Sequence, residues 1–86
     1  MLKVGDIVMT SFEIRNNPVV AESRGWNPVP RGSVGVVIEV RETTLNRQWN
    51  KDGKGDVYVD VQVFNDGTGN SWKAGNYLSS TFRKVF

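Results

Sequence analysis

Hydrophobic and polar residues alternate most regularly between positions 57 and 64. The alternating aliphatic residues are Val57, Val59, Val61 and Val63. The residues between them are Tyr58, Asp60, Gln62 and Phe64. Because successive side chains of a strand point to opposite faces, the four valines form one continuous apolar stripe. The pattern predicts a half-buried antiparallel strand that ends at the turn-forming residues Asn65, Asp66 and Gly67.

Four other segments have the composition of strands, at residues 6–12, 34–42, 71–73 and 82–86. Residues 75–80 are expected to form a turn that directs Tyr77 and Leu78 inward. In the segment 34–42, apolar residues occupy both parities, which indicates either a bulge or a strand covered on both faces. Gly35 is a natural position there for a bend or a close backbone approach.

Two long connections separate the predicted strands. Residues 13–33 include all three prolines and Trp26. Because a fully solvated tryptophan is uncommon, we expect this loop to fold back over one end of the sheet. Residues 43–55 are polar, contain Trp49, and end in the turn-forming residues around Gly53, so we expect a long hairpin tip.

No segment of useful length has a helical period, so the chain is expected to be one all-β domain over residues 1–86. Five short strands with a long first loop fit a strongly bent sheet that closes into a small barrel and leaves few free edges. The expected core residues are Ile7, Met9, Val36, Ile38, Val57, Val59, Val61, Val63, Leu78 and Val85.

Two stretches resemble a known family. Residues 34–40 (VGVVIEV) are similar to the second strand of the Mind-bomb-type domain, a Src-homology-3-like (SH3-like) small barrel of some ubiquitin ligases. Residues 64–75 (FNDGTGNSWKAG) are similar to that family's third-strand end, its turn and its fourth strand. Residues 4–8 (VGDIV) resemble, more loosely, the opening of this family, of ribosomal-type KOW barrels and of a small photosystem I subunit.

The Mind-bomb-type resemblance implies a five-stranded SH3-like barrel that recognises a short peptide of a partner protein, without the ligase activity itself. The peptide groove is expected between the two long connections, where an indole offers a flat apolar face and one N–H donor. The expected partner-binding residues are Trp26, Trp49, Phe64, Trp72 and Tyr77. As alternatives, Trp26 and Trp49 anchor their own loops, and Trp72 packs in the core or against a neighbouring strand.

Composition argues against an enzyme. The chain has no histidine and no cysteine, so the usual pairs of nucleophile and base are missing, as are thiolate metal ligands. Asp52, Asp56 and Asp60 are candidates for acid–base chemistry or a hard-metal site, but turn formation and solvated strand positions also explain them. We therefore expect no catalytic residues, no metal and no cofactor.

Sequence features also favour a location and exclude a membrane. Neither a signal-peptide pattern nor a long apolar stretch is present, and the absence of cysteine suits a reducing compartment, so we expect a cytoplasmic protein that does not enter a membrane.

The 11 basic residues slightly outnumber the 9 acidic ones, and several lie in or beside the two long connections. Arginine interleaved with tryptophan also suits single-stranded nucleic acid, because cations contact phosphates and rings stack on bases. The alternative residues for such a KOW-like function are Arg15, Arg24, Arg31, Arg47, Lys51 and Lys54. The near balance of charges favours a solvated mixed-charge surface as the explanation of these residues, and a third possibility for the function is an accessory subunit of a larger complex such as a phage particle. The oligomeric state is left open.

Overall fold

The computed structural model describes residues 2–15, 29–65 and 72–85, and for Asn65 and Trp72 the backbone alone. These residues contain five strands and one turn of 3-10 helix. The elements are β1 (Ile7–Thr10), β2 (Val34–Glu42), β3 (Val57–Asn65), β4 (Trp72–Leu78), the 3-10 turn Ser79–Thr81, and β5 (Phe82–Lys84). The predicted bounds of the second strand are confirmed, and the all-β class is confirmed as well.

The five strands form one antiparallel sheet in the order β4-β3-β2-β1-β5. Residues Val37 and Val61 pair across β2 and β3, and Val59 and Tyr77 pair across β3 and β4. β4 and β5 are therefore the outer strands, and no pairing between them joins the described residues into a ring. The expected closure of the sheet is not observed.

The valine stripe of β3 forms the centre of the core. Val59, Val61 and Val63 have no exposed surface, which confirms their predicted position, whereas Val57 is only half-buried at the start of the strand. The full set of buried apolar residues is Leu2, Val8, Ile14, Val29, Val37, Val59, Val61, Val63, Ala74 and Phe82.

The prediction chose the wrong face of β1. Val8 and Thr10 are buried, whereas Ile7 and Met9 are half-buried on the opposite face. All three residues from Ile7 to Met9 are apolar, so alternation could not fix the register of this short strand. The register is set by pairing, because Val8 lies opposite Gly35 on the core side of β2.

The prediction was also wrong for Val36 and Ile38 in β2, and the cause is a bulge. Val37 pairs with Val61 and Glu39 pairs with Asp60, so Ile38 is an extra residue on β2. Before the bulge the odd-numbered residues face the core, and after it Val40 packs against the core. Apolar residues on both parities therefore reflect a change of face within one strand, as the bulge interpretation expected.

Gly35 confirms the expected close approach. A Cβ at this position would lie 2.5 Å from the backbone oxygen of Gln62 and 2.9 Å from the Cα of Val63. Only glycine lets β2 and β3 approach this closely at that point.

The end of the sheet differs from expectation too. Residues 75–78 continue β4 instead of forming a turn, and the chain turns at Ser79–Thr81. Tyr77 packs against the core, as predicted, with its ring centroid 6.2 Å from that of Phe82. Leu78 and Val85 are exposed, contrary to the prediction, because the inward positions of these strands are filled by Tyr77 and Phe82.

The first connection is closed at its base by a two-residue bridge. The Ile14 N–H donates to the Val29 oxygen at 3.0 Å, and the Val29 N–H donates back at 2.9 Å. Both side chains are buried. The expectation that Trp26 covers the sheet concerns a residue outside the described ranges, as does the predicted turn at residues 66–67. Within the described ranges, no helix is long and apolar enough to cross a membrane.

Candidate interaction site

Residues 43–56, which we name the β2–β3 connection, are held together at their base by backbone contacts. The Thr43 N–H and hydroxyl both donate to the Asp56 oxygen, at 3.1 and 2.7 Å, and the Asp56 N–H donates to the Leu45 oxygen at 2.9 Å. A Cβ on Gly55 would lie 1.8 Å from the Thr43 oxygen. The two arms of the connection therefore touch at a position that admits only glycine.

The carboxylate of Asp56 organises the middle of the connection. Asn46 Nδ2 donates to Asp56 Oδ2 at 2.7 Å, and Asn50 Nδ2 donates to Oδ1 at 3.0 Å. These bonds, first that of Asn46 and then that of Asn50, hold the pKa of the Asp56 carboxyl below its ordinary value. Asp56 therefore stabilises the connection. It precedes β3 and is held by two amides, so the interpretation of Asp56 as a solvated residue of a strand face was wrong.

Further hydrogen bonds order the tip. The Trp49 N–H donates to the Asn46 oxygen at 2.9 Å, and the Gly53 N–H donates to the Asn50 oxygen at 3.1 Å. The Lys54 N–H donates to Asp52 Oδ1 at 2.9 Å, so Asp52 serves a turn, as one of the two sequence interpretations expected. The whole connection is thus a hydrogen-bonded scaffold.

This scaffold directs two large apolar side chains outward. Trp49 is 78% exposed and Leu45 is 55% exposed. The alternative in which Trp49 anchors its own loop therefore does not hold. An exposed tryptophan on an ordered loop is available for contact with a partner.

Three cations project from the same connection, namely Arg47, Lys51 and Lys54. All three are exposed, and within the described ranges none has a carboxylate oxygen within 4.0 Å. Arg47 is oriented by its Nε, which donates to the Gly53 oxygen at 3.2 Å. A shallow cavity of about 540 Å³ beside them is lined by Thr44, Arg47, Gln48, Asn50, Lys51 and Gly53.

The other basic residues are placed differently. Arg15 is paired with Glu13 at 2.7 Å, and Arg31 is exposed in the turn that precedes β2. Arg24 lies outside the described ranges. Among the predicted cations that the structure describes, three therefore lie together in the β2–β3 connection, and Arg15 and Arg31 lie elsewhere.

The predicted aromatic residues do not converge in the described part of the chain. Phe64 is 50% exposed, but it lies at the end of β3 remote from the connection, roughly 20 Å along the strand. Tyr77 packs on the core, and burial raises the pKa of its hydroxyl to about 12. Trp26 lies outside the described ranges, and of Trp72 only the backbone is described, paired with Val63.

A second polar cluster lies on the outer face of the sheet. We name it the Asp60 cluster; it consists of Glu39, Arg41, Asp60, Lys73 and Asn76. Asp60 Oδ1 accepts from Arg41 Nη2 and from the Asn76 N–H, the latter at 2.7 Å, while Lys73 Nζ lies 3.6 Å from Oδ2. Arg41 Nη1 also lies 3.0 Å from Glu39 Oε2.

The Asp60 carboxyl is buried, which contradicts its expected position as a solvated residue of a strand face. The hydrogen bond from Arg41 holds its pKa below the ordinary value, against the opposing effect of burial. Gly75 and Asn76 together lie opposite Asp60, and this bulge in β4 presents the Asn76 N–H to the carboxylate. Both carboxylate oxygens have cationic partners, so we assign Asp60 a structural role.

No group of three or more potential metal-ligating side chains occurs among residues 2–15, 29–65 and 72–85. Sequence reasoning named Trp49 and the three cations, but it missed Leu45 and the two asparagines. The spacing of Asn46 and Asn50 before Asp56 was the available signal, since amides are natural partners of a turn carboxylate.

Comparisons with protein-family models, with curated proteins and with solved structures found no match to this chain. Function is therefore inferred from the residues of the site alone.

Proposed function

We propose that this chain is a non-catalytic protein-interaction module of the SH3-like class, resembling the Mind-bomb-type domain, which binds a partner protein or peptide. The binding surface is the β2–β3 connection. The bulges in β2 and β4 support the SH3-like assignment, because bulges bend and twist strands as a strongly curved sheet requires.

The observation that carries this proposal is the 78% exposure of Trp49 on a hydrogen-bonded connection. Tryptophan is enriched among the residues that dominate the energy of protein interfaces. A loop that is ordered before binding loses less conformational entropy when the partner arrives, which favours affinity.

The test is a chemical-shift map of the ¹⁵N-labelled chain against a library of short peptides. We expect the amide resonances of residues 44–54 to move with at least one peptide class, and Trp49→Ala to weaken that binding by about 2 kcal/mol. Trp49→Phe is the matched control, because it retains an aromatic ring and should lose less. A library that moves no resonance of the connection would refute the proposal.

A second candidate is nucleic-acid binding of the KOW-like type, and the observation that favours it is the group of three cations around Trp49. It predicts binding of single-stranded oligonucleotides that weakens steeply with salt, and a general loss of affinity in Arg47→Ala or Lys51→Ala. A gel shift at low salt without a complex would end this candidate.

A further inference from the structure

We infer that the partner segment is an acidic peptide with an apolar residue beside its carboxylates, and that it binds at the tip of the β2–β3 connection. This inference rests on the protein-binding function proposed above and adds the chemical class of the partner. It comes from the combination of charge, cavity and exposed apolar surface at this one place.

The connection has a small excess of positive charge, because it contains three cations and two aspartates. The two aspartates accept hydrogen bonds from groups of the connection itself. Asp56 accepts from Asn46 and Asn50, and Asp52 accepts from the Lys54 N–H. These donors are neutral N–H groups, and among the described residues no carboxylate oxygen lies within 4.0 Å of Arg47, Lys51 or Lys54, so the three cations remain available to a partner.

The cavity at the tip has matching chemistry. Two of its six lining residues are the cations Arg47 and Lys51, and none of the six is acidic. Gln48 adds a side-chain amide whose N–H groups can donate to oxygen acceptors. Arginine binds a carboxylate through two parallel hydrogen bonds, and lysine adds a compact charge, so this lining is complementary to an acidic side chain.

The apolar neighbours favour a peptide over a nucleic acid. Leu45 is 55% exposed in the same connection, two residues before Arg47, and an aliphatic side chain offers no ring for base stacking. Among the described residues, Trp49 is the only aromatic residue of the connection, whereas single-strand nucleic-acid sites stack successive bases on several rings. One indole and one leucine fit a single apolar side chain that is flanked by carboxylates.

The test uses four labelled probes and fluorescence anisotropy with the full chain. The first is a short peptide with glutamates around a central leucine, and the second replaces each glutamate by glutamine. The third replaces them by lysine, and the fourth is an oligouridine. We expect the glutamate peptide to bind roughly tenfold or more tightly than the glutamine peptide. Its affinity should fall as ionic strength rises from about 0.01 to about 0.15 M, where the Debye length shortens from about 30 to about 8 Å.

Matched substitutions locate the site. Lys51→Gln should weaken binding of the glutamate peptide roughly two- to fivefold, as expected for one exposed ion pair, and should leave the glutamine peptide unaffected. Lys3→Gln removes the same charge from an exposed position outside the connection and should change neither. Both positions are on the surface, so neither substitution is expected to disturb folding.

The outcomes separate this inference from the proposed function. If the glutamine peptide binds as tightly as the glutamate peptide, or Lys3→Gln acts like Lys51→Gln, the acidic partner is refuted while protein binding stands. If none of the three peptides binds, the acidic partner is refuted, and the peptide library described above decides the protein-binding proposal. Tighter binding of oligouridine than of the glutamate peptide would overturn the inference in favour of nucleic acid.

Discussion

Two carboxylates four residues apart organise two different regions of this molecule. Asp56 closes the β2–β3 connection and is bound by the neutral amides of Asn46 and Asn50. Asp60 lies on the outer face of the sheet and is bound by the cations Arg41 and Lys73 together with the Asn76 N–H. Both carboxyl groups have lowered pKa values, for these two different reasons.

The two kinds of carboxylate partner give the two regions different roles, one in stability and one in binding. In the Asp60 cluster, Arg41 and Lys73 form ion pairs with Asp60, because a buried carboxylate requires charged or hydrogen-bonding partners. In the connection, amides satisfy the carboxylate and leave Arg47, Lys51 and Lys54 exposed. The sheet is therefore the expected source of stability and the connection the expected place of recognition.

The largest expected loss of stability comes from replacing a tightly packed glycine, and the sheet and the connection each contain one such glycine. Gly35→Ala would place a Cβ 2.5 Å from the Gln62 oxygen, so the backbones of β2 and β3 must separate. We expect a loss of about 3 kcal/mol or more in the free energy of unfolding, measured by urea denaturation.

Gly55→Ala is the counterpart in the connection, where the added Cβ would lie 1.8 Å from the Thr43 oxygen. The clash is worse, but the connection can rearrange locally without opening the core. We expect a smaller loss of stability, with amide shift changes concentrated in residues 43–56. Equal global losses in the two variants would show that the connection and the sheet unfold as one unit.

The next effect compares a core residue with a surface residue. Val61 has no exposed surface, and Val61→Ala removes two buried methyl groups, so we expect about 2–3 kcal/mol of destabilisation. Trp49→Ala should change the free energy of unfolding by no more than about 0.5 kcal/mol, although its side chain is much larger. A Trp49→Ala loss above about 1 kcal/mol would contradict a recognition role that is independent of folding.

The carboxylates themselves give the third comparison. Asp60→Asn leaves Arg41 and Lys73 without their buried anionic partner, and we expect a loss of about 1–2 kcal/mol in urea denaturation. Asp56→Asn should cost less, because water can replace the amide bonds at this more open site. The reverse order of the two losses would invalidate the division of roles between the regions.

Sequence reasoning succeeded where one periodic pattern dominated. The alternation in residues 57–64 placed Val59, Val61 and Val63 in the core, and the pattern of glycine and valines in β2 indicated both a bulge and a close approach. These features depend on local side-chain alternation and on the size of glycine, which a sequence displays directly.

Prediction from the sequence failed where the position of a side chain depends on residues of other strands. The face of β1 is set by its register with β2, and the burial of Asp60 depends on Arg41 and Asn76 from two other strands. At the candidate site, Trp49 and its cations were found from residue type alone. The engagement of Asp56 by Asn46 and Asn50 depends on the three-dimensional path of the loop.

The pH dependence of stability sharpens the comparison of the two carboxylates. Because both folded-state pKa values are lowered, each ionised group stabilises the folded protein above the ordinary carboxyl pKa of about 3.9. That contribution is lost as the pH falls through the lowered folded values. Urea denaturation from neutral pH downward should therefore show decreasing stability below about pH 4, and Asp60→Asn should reduce the slope more than Asp56→Asn. Equal slopes in all three proteins would contradict the assigned contacts.

The smallest expected change in the free energy of unfolding concerns Tyr77. This aromatic residue packs against the core of the sheet, whereas Trp49 of the connection is exposed. Its hydroxyl is buried and has no hydrogen-bond partner among the described residues. Removing a buried, unpaired hydroxyl relieves a desolvation penalty, so Tyr77→Phe should be neutral or should stabilise the protein by up to about 1 kcal/mol. Tyr58→Phe, on the opposite face of the sheet, is the control and should have almost no effect. A loss of stability in Tyr77→Phe but not in Tyr58→Phe would mean that the Tyr77 hydroxyl has a hydrogen-bond partner. Tyr77 would then contribute a polar contact to the sheet in addition to its packing.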